Sequence, residues 1–276
     1  MTSNSPFPVI VGGIGGSGTR LVAGLLQIFG YYIGDDLNDS LDNHWFTLLF
    51  KRRSILLESD AHFHRLFSLF VSRMSGETRL TESERQCISD LASEERLLHD
   101  RDWLTERVRS FLSNLTSKRP AQPWGCKEPN AHVVIERILP LHPDLRYIHL
   151  IRHPLDVAAS RNQNQLQLWG PVYLDRDLPR GQAAAMSYWC AVHRRMARVM
   201  RQWPGWTMMA DFAALTTRPA EECGRLGTFL EAEITGAAVT AFCALLGELP
   251  ERRARPSVSQ FDHEDLVYAA KVGYLP

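Results

Sequence analysis

The chain has 276 residues, 31 basic and 31 acidic side chains, 45% hydrophobic residues and 9% aromatics. That length allows one large domain or two small ones, and the apolar fraction suffices for an ordinary folded core. A formal net charge of zero excludes a generally basic nucleic-acid binder and an acidic disordered chain, so any anion site has to be local.

Met1–Pro8 is short, polar and uncharged, unlike a signal peptide. Cys87, Cys126, Cys190, Cys223 and Cys243 form no CxxC pair, which fits reduced thiols and sets the expectation of a cytoplasmic protein. His62 and His64 have no second pair to complete a zinc spacing, so no metal is expected. Pro8–Gly34 is apolar enough to resemble a membrane span. Four glycines in Gly12–Gly16 and the charge of Arg20 argue against one.

In chain order, Phe7–Val11 predicts a strand that stops at Gly12. Thr19–Phe29 predicts a helix with Leu21, Leu25, Ile28 and Phe29 at helical spacing. Trp45–Thr116 reads as almost wholly helical: Trp45, Leu48, Leu49 and Leu56 share a stripe, and Thr81 with Glu84 forms a capping box. Leu104, Val108, Phe111, Leu112 and Leu115 make one helical face. After Pro120 the expected elements are a strand end at Trp124–Lys127, a helix at Ala131–Leu139, a strand at Leu145–Ile151 and a helix at Leu155–Gln165. A long helix at Gly181–Trp203, a strand at Trp206–Ala210, helices at Pro219–Leu230 and Ala237–Leu246, and a loop at Glu251–Gln260 complete the chain. Strands separated by helices, without hairpin signals, predict an α/β fold: a parallel sheet flanked by helices, in one domain over 1–276, with 45–116 as a large helical insert.

The segment VIVGGIGGSGTRLVAGLL carries the strongest local signal. A strand, a glycine turn and a helix start together present backbone N–H groups and the helix dipole to an anion. Three templates compete. Gly13, Gly15 and Gly18 satisfy GxGxxG, with Asp36 near the ~20-residue offset of a ribose-binding acid. Against that dinucleotide reading, a long helical stretch stands where the second strand belongs. Gly13 and Gly18 also satisfy the GxxxxG of a Walker loop, but Thr19-Arg20 replaces its Lys-Ser/Thr pair. The third template uses Ser17, Thr19 and Arg20 on a phosphate loop without a magnesium ligand. The run YIHLIRHPLDVAASR repeats the strand-to-helix logic, with Arg152 at the strand end, Pro154 in the first helical turn and Ser160 further along.

GGSGTR followed by LIRHPLDVAASR resembles the sulfotransferase family that uses 3′-phosphoadenosine-5′-phosphosulfate (PAPS). The resemblance implies a P-loop-type fold and no metal. It implies 5′-phosphosulfate binding at Gly15, Gly16, Ser17, Gly18, Thr19 and Arg20, and 3′-phosphate binding at Arg152 and Ser160. WGCKEPN is similar to a segment of tyrosylprotein sulfotransferases and implies Lys127 as the catalytic cation, with Arg20 beside it. RPSVSQ resembles the loop closing over the cofactor and nominates Arg255 and Ser257. The chain departs from cytosolic members at Gly16, where they carry a lysine.

The expected reaction is transfer of a sulfuryl group from PAPS to a hydroxyl acceptor by in-line displacement. For the base, the acid-rich GDDLNDSLDNHWF offers Asp42 first, then His44 and Asp36. Arg194, Arg195, Arg198 and Arg201 form a basic helix face. The acceptor is open among glycan, lipid, peptide and small molecule, with no nucleic acid and no transmembrane segment expected. The competing readings are an NAD(P)-dependent oxidoreductase using GxGxxG, and a nucleotide-binding module without turnover.

Overall fold

A computed structural model describes residues 6–77, 79–113, 122–174, 180–249 and 253–275. Its strands are β1 (Val9–Gly13), β2 (Gly125–Lys127), β3 (Arg146–Ile151) and β4 (Thr207–Asp211). They pair only in parallel, in the order β2-β1-β3-β4. The helices are α1 (Thr19–Ile28), α2 (His44–Phe50), α3 (Asp60–Met74), α4 (Glu82–Asp90), α5 (Arg101–Leu112), α6 (Ile135–Ile138), α7 (Pro154–Ala158), α8 (Asn164–Tyr173), α9 (Gln182–Gln202), α10 (Phe212–Thr217), α11 (Pro219–Leu230), α12 (Gly236–Leu246) and α13 (His263–Lys271).

The pleat divides the core in two. Val9, Val11, Ile148, Leu150 and Ala210 turn to the face packed by α1, α11 and α12. Ile10, Tyr147 and Ile151 turn to the other face, where a larger apolar cluster takes in side chains of α2, α3, α5, α8 and α9. Within it Phe46, Phe50, Phe63, Phe67 and Phe70 pack ring against ring, and Phe70 meets Trp124 edge-on at 5.9 Å. Burial on both faces explains why β1 reads as a continuous apolar run.

Most boundaries fall within two residues of expectation, and the capping box forms: the Thr81 side chain and the Glu84 carboxylate satisfy each other's backbone N–H groups. Three expectations need correction. Ala131–Leu139 is not one helix but a 3-10 turn at Pro129–Val133 followed by the single turn of α6. Glu128 draws the Asn130 backbone N–H onto its own carboxylate, which tightens the start of the segment. Leu155–Gln165 breaks after Ala158, because Ser160 Oγ accepts from Asn162 N–H and Asn162 Oδ1 from Asn164 N–H, side-chain bonds that compete with the helical ladder. Leu56 leaves the stripe and is exposed in a 3-10 turn. Leu115, Thr116, Glu251 and Arg252 lie outside the described residues.

Three fully buried imidazoles sit between β3 and α9. His149 Nδ1 pairs with the Tyr147 hydroxyl at 2.8 Å, His193 Nδ1 donates to the Trp189 carbonyl at 2.7 Å, and His132 lies between the Tyr173 and Tyr188 hydroxyls. Burial pulls all three down: His193 to about 4, and His132 and His149 well below the ordinary histidine value. The unfolded chain takes up protons near pH ~6.5 that the folded chain refuses. Stability is therefore complete above that pH and falls as the solution is acidified toward pH 4, by up to ~1.4 kcal/mol per pH unit for each proton taken up. Urea unfolding at pH 7, 6 and 5 checks this: the midpoint is expected to drop at each step.

Candidate active site

β1 ends at Gly13 and α1 starts at Thr19, so the intervening loop lies at the carboxyl end of the sheet. Gly16 and Gly18 have φ of 87° and 90°, a region that disfavours any side chain. The space is closed as well. A Cβ on Gly18 would lie 2.6 Å from the Phe212 ring, and one on Gly16 would lie 2.8 Å from Ser160 Oγ. The Ser17 hydroxyl is buried and has no hydrogen-bond partner among the described residues; Leu21 N–H donates to the Gly18 carbonyl at 2.9 Å, and the Thr19 and Arg20 N–H groups precede the first acceptor of α1. A buried unbonded hydroxyl costs about 1–3 kcal/mol, which an anion in the turn would recover. Gln165, buried on α8, holds the loop from beneath: it accepts from Gly15 N–H and donates to the Gly13 carbonyl, both at 3.2 Å.

Beside this loop lies the turn after β3. Arg152 Nη1 donates to the Gly16 carbonyl at 3.1 Å, and its guanidinium lies 4.2 Å from the Phe212 ring centre. Asp156, on the first turn of α7, accepts from Arg152 Nε at 3.4 Å and from Arg255 Nε at 2.6 Å. The structure thus brings Gly16, Arg152, Ser160 and Arg255 together. Ser257 caps the short turn at Val258–Gln260.

Lys127 ends β2. It is buried, and its ammonium is bonded to the Asp42 carboxylate and, at 3.0 Å, to the Ser40 carbonyl. Ser40 Oγ in turn accepts from Arg20 Nη2 at 3.0 Å, so all three proposed catalytic side chains meet at one turn. Asn38 shapes that turn: its Oδ1 accepts from the Ser40 and Asp42 N–H groups, and its Nδ2 donates to Asp42 Oδ2 at 2.9 Å. Leu41 is held at φ 63°, uncommon for a bulky residue. Both Asp42 oxygens are therefore engaged.

A cavity of about 300 Å³ opens beside Gly15, between the 38–42 turn, α2, α5 and the start of α8. His44 and His99 both line it. His44 Nδ1 lies 2.9 Å from Asp36 Oδ1, which also accepts from Arg107 at 2.6 Å. Burial raises the Asp36 carboxyl, but hydrogen bonds from His44 and Ser110 and the Arg107 charge outweigh it and hold the group below the usual carboxylate range. His99 stacks on Trp103 at 4.1 Å and is held down to about 4 by burial and by the nearby charges of Lys51 and Arg96. The cavity floor is Glu128, fully buried, which accepts from Thr47 at 2.5 Å and from the Asn130 side chain. Burial raises its carboxyl, and the Lys51 charge with these bonds brings it below its usual range.

Sequence reading missed Gln165, Glu128, Asn130, His99, Trp103 and Lys51. For Glu128 and Asn130 a signal existed, since they follow Lys127 directly in the WGCKEPN segment. The expected basic face of α9 is partly absorbed. Arg195 bonds to the His132 carbonyl, Tyr173 and Glu136, and Arg194 lies over Tyr268, while Arg198 and Arg201 are exposed.

A larger cavity, about 410 Å³, runs along β4 between α9, α11 and α13, and none of its lining belongs to the glycine loop or to α2. Among the described residues no group of three His, Cys, Asp or Glu side chains is placed to hold a metal ion, and no helix is long and apolar enough to cross a membrane.

The chain is similar to several solved structures. Sulfotransferase STF9 from Mycobacterium avium is 18% identical, over 91% of this chain and 70% of its own, with a TM-score of 0.47. The sulfotransferase domain of the Synechococcus PCC 7002 olefin synthase is 15% identical, over 100% and 98%, with a TM-score of 0.47. The sulfotransferase domain from the curacin biosynthetic pathway is 13% identical, over 99% of each chain, with a TM-score of 0.49. No curated protein sequence matches the chain. The family model described as "Sulfotransferase family" matches residues 8–236, and with that span the chain belongs to the sulfotransferase family.

Proposed function

We propose that the protein transfers the sulfuryl group of PAPS to the hydroxyl of an acceptor, and that the whole of 1–276 is one α/β domain in which 45–116 forms the acceptor side. With all five cysteines free, we read it as a protein of a reducing, cytoplasmic compartment. The observation that carries the reading is the convergence of the two strand-to-helix turns on Gly16, with the Ser17 hydroxyl between them lacking a partner among the described residues.

These residues fit the donor. When bound, PAPS supplies a sulfuryl group whose bond to a phosphate oxygen breaks as a bond to the acceptor oxygen forms. Ser17, Thr19 and the first-turn N–H groups of α1 donate hydrogen bonds to anionic oxygens. Arg152 and Ser160, with Arg255 braced through Asp156, offer a second cationic pocket. Lys127 and Arg20 supply positive charge where negative charge develops.

The role of base passes from Asp42 to His44. Asp42 is committed to Lys127 and Asn38 and positions the ammonium. His44 lines the cavity, with its Nδ1 2.9 Å from both Asp36 Oδ1 and Arg107 Nη1; in the tautomer that donates from Nδ1 to Asp36, Nε2 is the nitrogen that takes a proton. The acceptor oxygen's proton goes there.

Three outcomes are expected. Adenosine 3′,5′-bisphosphate raises the melting temperature of the wild-type protein, and Arg152→Ala weakens its binding about tenfold or more, through loss of a charge-assisted bond, as titration calorimetry would read. Lys127→Ala keeps that binding but lowers kcat ~10²–10³-fold, as the loss of one transition-state donor does. His44→Gln lowers kcat ~10²–10⁴-fold while bisphosphate binding is kept, whereas a kcat close to that of the wild type would return the base to another group.

A further inference from the structure

The cavity beside Gly15 has an unusual lining for a small-molecule site. Such sites are mostly apolar with a few placed polar groups. Here the polar groups predominate, and several have no protein partner. No protein group hydrogen-bonds Lys51 Nζ, the His99 ring nitrogens or the Asn164 side-chain amide among the described residues, and all three residues border the space. They differ in kind: Lys51 only donates, while neutral His99 and Asn164 each donate and accept. The aromatic part of the lining is the His99–Trp103 stack, with ring planes inclined by 26°.

The charges balance. Asp42 is compensated by Lys127, and the Lys51 ammonium lies near buried Glu128, so the cavity has no surplus of either sign. Its volume, about 300 Å³, is at the lower end for small-molecule sites. A flat phenol, a steroid or a lipid alcohol would cover the unbonded polar groups with carbon and leave them unsatisfied. A compact neutral ring bearing several hydroxyls would bond to them and set a C–H face against the aromatic stack.

We propose that the acceptor is a neutral carbohydrate, with one sugar ring seated between the His99–Trp103 stack, Lys51 and Asn164, and one of its hydroxyls directed toward His44. This rests on the sulfotransfer reading above, but sugar binding is measurable without turnover.

The test uses the full-length protein with and without adenosine 3′,5′-bisphosphate. Saturation-transfer NMR is recorded with methyl β-D-glucoside, methyl β-D-galactoside and trehalose, and separately with 2-naphthol and 1-hexanol. At least one sugar is expected to receive saturation, and His99→Ala is expected to weaken its binding about tenfold while leaving the bisphosphate-induced melting shift unchanged. Saturation transfer to 2-naphthol or 1-hexanol with none to any sugar, or sugar binding unaltered in both His99→Ala and Lys51→Met, overturns the proposal. Failure of the bisphosphate to shift the melting temperature instead overturns the donor reading and leaves the sugar result to stand on its own.

Discussion

The parallel pairing of β1 with β3 is the constraint from which the site follows. Val9 to Gly13 lie in register with Arg146 to Leu150, so the two strands end side by side and the chain leaves both in the same direction. Each exit becomes a helix start. Two positive helix ends would repel one another across so short a gap unless the space between them favoured negative charge. Arg152 makes this explicit by reaching across to the Gly16 carbonyl. Strand pairing, bought by the apolar side chains on both faces, thus sets the distance between two anion-seeking turns without any long-range design in the loops.

β2 extends the same logic to the other side of β1. Its three residues, all buried, carry Lys127 to the sheet's carboxyl edge, and Glu128 follows immediately. Two adjacent buried charges of opposite sign are tolerated because each finds separate company: Asp42 and Ser40 for the lysine, Thr47 and Asn130 for the glutamate. The partners come from the 38–42 turn and from α2, so the helical stretch after α1 is tied to the sheet through compensated charge as well as apolar packing.

The elements that sequence made legible are those governed by local rules. Apolar β1, the glycine turn between β1 and α1, the Thr81–Glu84 box and the long helix α9 all follow from spacing and conformational preference. The position of Arg152 after β3 was readable because strand, turn and helix start are contiguous there. What remained hidden depends on contacts between distant segments. Gln165 is separated by 150 positions from the glycine whose N–H it accepts, and nothing near it in the chain distinguishes it from a surface glutamine. The break after Ala158 was missed because Ser160 and Asn162 suit a helix surface as well as a turn, and their hydrogen bonds decide between the two. Asp42 looked like a free carboxylate until folding brought Lys127 against it.

The two bonds from Gln165 to the glycine loop carry an energetic consequence. A glycine-rich segment left to itself samples many backbone states, and closing it around a ligand would cost the entropy of choosing one. With Gly13 and Gly15 clamped to a buried side chain, that choice is made when the chain folds. The loop is preorganised, and association is spared the ordering term that a floppy phosphate grip would subtract from its affinity.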